Sequence, residues 1–359
     1  MVNTVPVIYD GITMTMLNYV ENMDKSDLQV DFVAINQIEP HLRSQIEEMG
    51  CKVHELPNRN THKLKYLVKL AALIRKNKYD VVHVHCNSCT AAIEMLSSFL
   101  GGAKMRCSHS HNTKCSHLKM HKLLRPLFNL FYTDAFACGT EAGNWLFPGK
   151  SFTVLKNATN TDKYKYNPAF REEYRSRYNL EGKIAIGHVA HFTHHKNHGF
   201  LIDAFAGVMK EKPDYVLFLV GDGKYRNEIE EKVRDLQLQD FVVFTGTTLE
   251  IPQILSAMDM MVLPSLYEGL PNVIIEWQIA GLPMLISDTT TLECKLTELV
   301  NFLPLNKKDW VNAILNIRIL DDRAKSSNES IEAIKNAGFS IKENSKLLKD
   351  YYLKRLNKI

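Results

Sequence analysis

No stretch of the sequence approaches the ~18 to 20 unbroken apolar residues that a membrane-spanning helix requires, and the start lacks the basic residues and apolar run of a signal peptide. A soluble, cytoplasmic protein is expected. Net charge is also scarce: 44 Lys and Arg stand against 40 Asp and Glu, and a balance of +4 argues against a dedicated nucleic-acid binder. The seven cysteines are odd in number and scattered, which excludes a disulfide framework and suits a reducing compartment. Cys86 and Cys89 form a lone C-x-x-C, but zinc normally takes four N or S ligands and no second pair stands at suitable spacing. Both read as small buried apolar residues. Internal repeats and low-complexity tracts are missing too, so solenoids and linkers can be set aside.

What is present is globular. The chain has 359 residues, 45% hydrophobic and 23% charged, and at roughly 150 residues per domain it should form two. Short β-type runs alternate with longer helical patterns, as in parallel sheets with helical crossovers. In the first half the strand candidates are 2–8, 30–35, 53–56, 81–84, 104–108, 135–138 and 152–155. Residues 61–76 show the helical period best, with Leu64, Leu67, Val68, Ala71, Ala72 and Ile74 on one side and Lys and Arg on the other. In the second half the candidates are 184–190, 215–220, 241–244, 260–263 and 284–286. The expected organisation is a Rossmann-like domain over 1–165, a connection over 166–182, a second Rossmann-like domain over 183–335, and a C-terminal helix over 336–359 packing back across the domains. The fold class is α/β, with two doubly wound parallel-sheet domains facing across a cleft at the C-terminal ends of the sheets, where such folds bind ligands.

The most informative stretch runs from Met260 to Glu276. A strand ends near Pro264, a loop follows, and Pro271 suits the first turn of a helix that stops at Gly281. No Ser, Thr or Asp stands ready to cap that helix, so its N–H groups are open to a ligand anion. Glu268 lies in the loop at its mouth and Glu276 about two turns in, leaning back toward the N-terminus. A diphosphate at the helix end, with carboxylates accepting from sugar hydroxyls, would suit this pattern. A solvated glutamate beside a loop glutamate fits the spacing as well.

Glu268 to Glu276, within Pro-Ser-x-Tyr-Glu-Gly-Leu-Pro-Asn-Val, resembles the E-x7-E signature of the family 4 retaining glycosyltransferases. Gly187-His188-Val189, Lys196-Asn197, Gly221-Asp222-Gly223, Phe244-Thr245-Gly246 and His109-Ser110-His111-Asn112 follow the same family, in its exopolysaccharide or capsule branch, over about residues 3–305. The resemblance implies a GT-B fold and an enzyme moving a sugar from a nucleotide sugar, preferably of UDP, to a glycan or lipid-linked acceptor. It implies that Glu276 binds the ribose and Glu268 the transferred sugar, with Gly269, Leu270, Pro271 and Asn272 beneath phosphates and sugar. Lys196 would neutralise the diphosphate. His111, or otherwise His109, would contact the donor sugar or diphosphate, and Gly221, Asp222 and Gly246 would lie close to the nucleotide. Gly11, in Asp10-Gly11-Ile12-Thr13, opens the first helix where the family usually has two glycines. His191 stands where the family commonly has Arg, and Asn160 where it has an acidic residue. Neither change removes the glutamates or the lysine.

No Asp-x-Asp stands in a plausible phosphate-facing loop, so no metal or other cofactor is expected; the nucleotide sugar is a co-substrate. His194 and His198 are one helical turn apart, but no Glu completes an H-E-x-x-H. Residues 117–128 mix basic and apolar side chains, as an ordinary half-buried helix or a helix on the inner membrane face would. Two rival functions share the architecture: a sugar-nucleotide 2-epimerase, and a non-catalytic partner subunit that binds a sugar nucleotide.

Overall fold

The computed structural model describes residues 1–35, 37–268 and 270–358. The chain divides into two units, one of residues 1–158 with 338–359 and the other of residues 159–337.

In the first unit the strands are β1 (Val2–Asn3), β2 (Phe32–Ile35), β3 (Val53–Leu56), β4 (Val81–Cys86), β5 (Met105–Ser110), β6 (Asp134–Ala137) and β7 (Thr153–Val154), all parallel, in the order β3-β2-β1-β4-β5-β6-β7. Strand β1 is shorter than the expected 2–8. After Asn3 the chain leaves its neighbour, and only Val7 regains a bridge, to Ile38. Pro6 has no N–H to give a ladder. Alternation along β4 sends Val82, Val84 and Cys86 into the core beneath the helices Lys63–Asn77, Ala92–Gly101 and Leu118–Phe131. His83 and His85 take the other face.

In the second unit the strands are β8 (Ile184–Val189), β9 (Tyr215–Val220), β10 (Val242–Gly246), β11 (Met260–Leu263), β12 (Met284–Ser287) and β13 (Val300–Leu303), parallel in the order β10-β9-β8-β11-β12-β13. Strand β13 was not expected from the sequence; it lies at the sheet edge, where only Val300 is buried. Both sheets reverse direction of growth once, between β1 and β4 and between β8 and β11. Ligands of open α/β folds bind outside the carboxyl ends of the strands at such a reversal.

Residues 166–182, expected as a connection, are folded into the second unit. The helix Pro168–Arg177 is held there by Arg171 and Arg175, which straddle Asp259 at 2.6 and 2.9 Å. The C-terminal helix Ile341–Leu356 joins the first unit instead. Ile341, Leu348 and Tyr352 pack with Tyr19, Met105 and Phe136, and Tyr351 and Arg355 both reach Asp134.

Candidate active site

In the second unit, the loops leaving β8 and β11 flank the reversal point and are tied to each other. Leu266 N–H donates to the His195 carbonyl at 2.7 Å, and Asn197 Nδ2 donates to the Pro264 carbonyl at 3.1 Å. Asn197 adopts φ 57°, a left-handed conformation that Asn tolerates better than most residues, and its amide bridges the loops rather than capping the next helix. The two loops thereby bring Lys196 Nζ onto the Glu268 carboxylate as an ion pair, with Ser265 Oγ donating to the same oxygen at 2.9 Å. The paired side chains are only 15% and 12% exposed, so water screens them little. Ser265 is itself anchored, its carbonyl accepting from Ser287 and Thr289 hydroxyls at 2.6 and 2.8 Å. His195 stacks on Tyr267 beside the pair; burial, then Lys196, lowers its pKa, and Glu268 opposes them.

The loop leaving β9 lies against the loop leaving β8. Gly221 has φ 135°, and a Cβ there would sit 2.2 Å from the Ala190 carbonyl oxygen. At Gly223, φ 154°, a Cβ would meet the Phe192 backbone at 2.8 Å. Only glycine allows this approach. Gly221 also bridges Gly246 at the end of β10, and His191, exposed, places Nδ1 3.2 Å from the Asp222 carbonyl. Asp222 itself pairs with Arg226.

The helix carrying Glu276 spans Asn272–Ile279, with Pro271 at its cap position and no capping side chain, one residue later than expected. Its far end is fixed by the buried Arg323, which donates to the carbonyls of Ala280, Met258 and Leu255. Burial pushes the Glu276 carboxyl up to about 7, against the opposing pull of Lys163 and a hydrogen bond with Tyr164. Those two neighbours come from the short helix Thr161–Tyr164, whose N-terminus is capped by Asn160 Oδ1, accepting from Asp162 and Lys163 N–H at 3.1 and 3.3 Å. Asn160 thus does the capping an acidic residue would do, and its departure from the family pattern leaves this corner intact. Leu270 is half-buried between the loop and the helix, and Gly269 lies outside the described residues.

In the first unit, Gly11 begins the helix Gly11–Glu21 with Asp10 as its cap, Oδ1 accepting from Thr13 N–H at 2.7 Å, and the space beside Gly11 is open. His111 follows β5 directly, half-buried, 2.8 Å from His85 Nδ1. His109 is fully buried and pairs with His83 at 3.2 Å, so His111 is the more accessible of the two.

Lys163, Tyr164, Ser265 and His85 were not named as site residues from the sequence. Ser265 stands inside the quoted motif and was within reach; the others carry no local signal. His194 and His198 do not converge: His194 is exposed, whereas His198 is buried against Phe192, ring centroids 4.1 Å apart, and burial lowers its pKa to about 2. Cys86 and Cys89 are buried free thiols, pushed up by burial to about 12 and 11.

Comparison with known proteins agrees with this geometry. Residues 170–336 match the family model for glycosyl transferases group 1, and residues 8–106 the model for glycosyl transferase 4-like domains. EpsF of Bacillus subtilis, assigned as a glycosyltransferase, is 32% identical over 295 residues, covering 78% of this chain and 77% of that one. The Escherichia coli UDP-Gal:alpha-D-GlcNAc-diphosphoundecaprenol alpha-1,3-galactosyltransferase is 29% identical, covering 81% and 79%. Among solved structures, Anabaena HepE in complex with UDP-glucose superposes with a TM-score of 0.79 at 19% identity, over 100% of this chain and 99% of that one. The chain belongs to the family 4 retaining glycosyltransferases and is an enzyme of the GT-B fold.

Proposed function

We propose that the chain transfers a sugar from a UDP-sugar to a glycan or lipid-linked acceptor in cell-surface polysaccharide synthesis, with retention and without a metal ion. The observation that carries this reading is the Lys196–Glu268 pair, set between two loops at the reversal point of the second sheet. A bound donor offers each partner a better counterpart: the diphosphate for the ammonium, sugar hydroxyls for the carboxylate. Glu276 would accept from the ribose hydroxyls. The E. coli relative, named for a UDP-galactose donor and a diphosphoundecaprenol-linked acceptor, supports the nucleotide and the acceptor class.

In the reaction, the bond between the sugar C1 and the β-phosphate oxygen breaks as the acceptor oxygen bonds C1 on the same face. The acceptor proton passes to the departing phosphate oxygen, and UDP leaves. Lys196 and the uncapped N–H groups at Asn272 supply fixed positive charge for the leaving group, the role a metal would otherwise fill. The test is transfer from a panel of nucleotide sugars onto a diphosphate-lipid-linked monosaccharide by the purified chain. Turnover with a UDP-sugar, unchanged by EDTA, is expected. Activity lost in EDTA and restored by manganese overturns the metal-free mechanism, and release of free epimerised sugar overturns transfer itself.

We further infer that the helix Leu118–Phe131 rests on an anionic membrane surface. None of its residues is acidic; Lys119 and Lys122 are exposed, and Leu118, Leu123 and Leu130 are 47%, 70% and 71% exposed. Exposed leucines between lysines suit the boundary of acidic headgroups and acyl chains. No helix among the described residues is long and apolar enough to cross a membrane. The chain should therefore co-sediment with phosphatidylglycerol vesicles and not with phosphatidylcholine, and the Leu123→Asp, Leu130→Asp double variant should bind at least about fivefold more weakly. Equal binding to both vesicles, or self-association abolished by the same variant, would assign the face to another partner.

A further inference from the structure

One face of β4 and β5 carries four imidazoles: His83 and His85 from β4, His109 from β5 and His111 just beyond it. They form two separate hydrogen-bonded series. Tyr352 Oη lies 2.6 Å from His83 Nδ1, and His83 Nε2 lies 3.2 Å from His109 Nδ1. Independently, His85 Nδ1 lies 2.8 Å from His111 Nε2, with the two rings stacked at 5.0 Å and 20°. One nitrogen each of His83, His85 and His109 falls within 4.8 Å of the others. Both His83 nitrogens are already engaged, so a cation there would have to displace hydrogen bonds the fold has made.

Burial holds His111 at about 3 and His85 well below the usual imidazole range, so both are neutral and each carries a single N–H. Two arrangements are open to the pair. If His111 Nε2–H donated to His85 Nδ1, then His85 would carry no proton on Nδ1 and an unpartnered N–H on Nε2. His85 is 3% exposed, and its Nε2 has no partner. If His85 Nδ1–H donates instead, the spare N–H falls on His111 Nδ1, also unpartnered but on a half-buried residue at the carboxyl end of the sheet. A buried N–H without an acceptor is rarer and costlier than a bare acceptor, which decides for the second arrangement.

We propose that His85 is a positioning residue: its Nδ1–H donates to His111 Nε2 and fixes His111 as the Nδ1–H tautomer, a neutral hydrogen-bond donor held ready for a phosphate or sugar oxygen of the bound nucleotide sugar. The proposal rests on the assignment of His111 to the donor. It adds which ring nitrogen acts, in which direction, and which residue sets it. A ligand oxygen with lone pairs is accepted at Nδ1; a group that can only donate is refused.

The test is nitrogen-15 NMR of histidine-labelled intact chain, with the His111 signals identified by their loss in His111→Gln. In the wild type, His111 should show a protonated Nδ1 and a bare Nε2. A wild-type His111 protonated on Nε2 overturns the proposal without recourse to any variant. In His85→Leu the single tautomer should give way to a mixture and kcat should fall about tenfold, whereas His85→Asn, whose amide N–H stands near the lost Nδ1–H, should restore both. A tautomer unchanged in His85→Leu also overturns it. The underlying assignment fails in a different way: the expected wild-type tautomer, with kcat and KM both intact in His111→Leu, removes His111 from the donor while leaving its pairing with His85 in place.

Discussion

Glu268→Gln is expected to lower kcat about ten- to a hundredfold while leaving UDP affinity unchanged or improved, and Glu276→Gln to raise the KM for the donor by a similar factor with a smaller loss of kcat. The split follows from where each carboxylate works. Glu276 is assigned to the ribose, remote from the breaking bond and held alike in ground and transition states, so its loss removes uniform binding. Glu268 is assigned to the transferred sugar, whose charge and position change as the bond breaks. The ion pair adds a sign. Without its carboxylate partner, Lys196 loses the group that UDP must displace, so the diphosphate should gain rather than lose. The Glu276 carboxyl, pushed up to about 7, adds a pH dependence. Its ionised form accepts from both ribose hydroxyls, so UDP binding should tighten between about pH 6 and pH 8 in the wild type and stay flat in Glu276→Gln. Calorimetry and initial rates decide. The reverse order of effects, or none in either variant, would remove the motif from the donor site.

Gly221→Ala should destabilise the second unit by on the order of 3 kcal/mol or more, enough to lower the urea midpoint markedly or prevent soluble expression. Its Cβ would lie 2.2 Å from the Ala190 carbonyl oxygen, backbone against backbone, so no side chain can swing away to relieve it. The loops leaving β8 and β9 would have to separate, taking His191 off the Asp222 carbonyl. Gly50→Ala is the control, since Gly50 also has positive φ, 77°, but open space where a Cβ would stand. It should cost only the left-handed backbone strain, about 1 to 2 kcal/mol. Equal losses in the two variants would mean that φ alone, and not the close approach of the loops, sets the demand for glycine at Gly221.

Where the chain alternates long periodic helices with apolar strands, the sequence reads directly into the structure, as with residues 63–77 and 215–220. It fails where position is decided by distant partners. Strand β13 is an edge strand with one buried residue, too weak a pattern to stand out. Residues 166–182 look like a connection because they are polar, yet those polar groups are what fix them: Arg171 and Arg175 find Asp259 far along the chain. The site divides in the same way. Lys196 and Glu268 were legible as motif members, but their mutual pairing depends on Asn197 reaching Pro264 across two loops. The contribution of Lys163 and Tyr164 to Glu276, and of His85 to His111, joins residues about 110 and 26 positions apart, for which local spacing offers no sign.

The place of the helix Ile341–Leu356 in the first unit has a consequence for how the protein is made. Residues 159–337 form an uninterrupted unit that holds all its own parts as soon as it leaves the ribosome. The first unit is synthesised earlier but lacks one wall until residues 341–356 follow. Until then Tyr19, Met105, Cys107 and Phe136 have no Leu348 or Tyr352 to cover them, and His83 has no hydroxyl partner. Folding order is thus inverted relative to synthesis order: the second unit finishes first, while the nascent first unit exposes an apolar face over the interval in which chaperones would engage it.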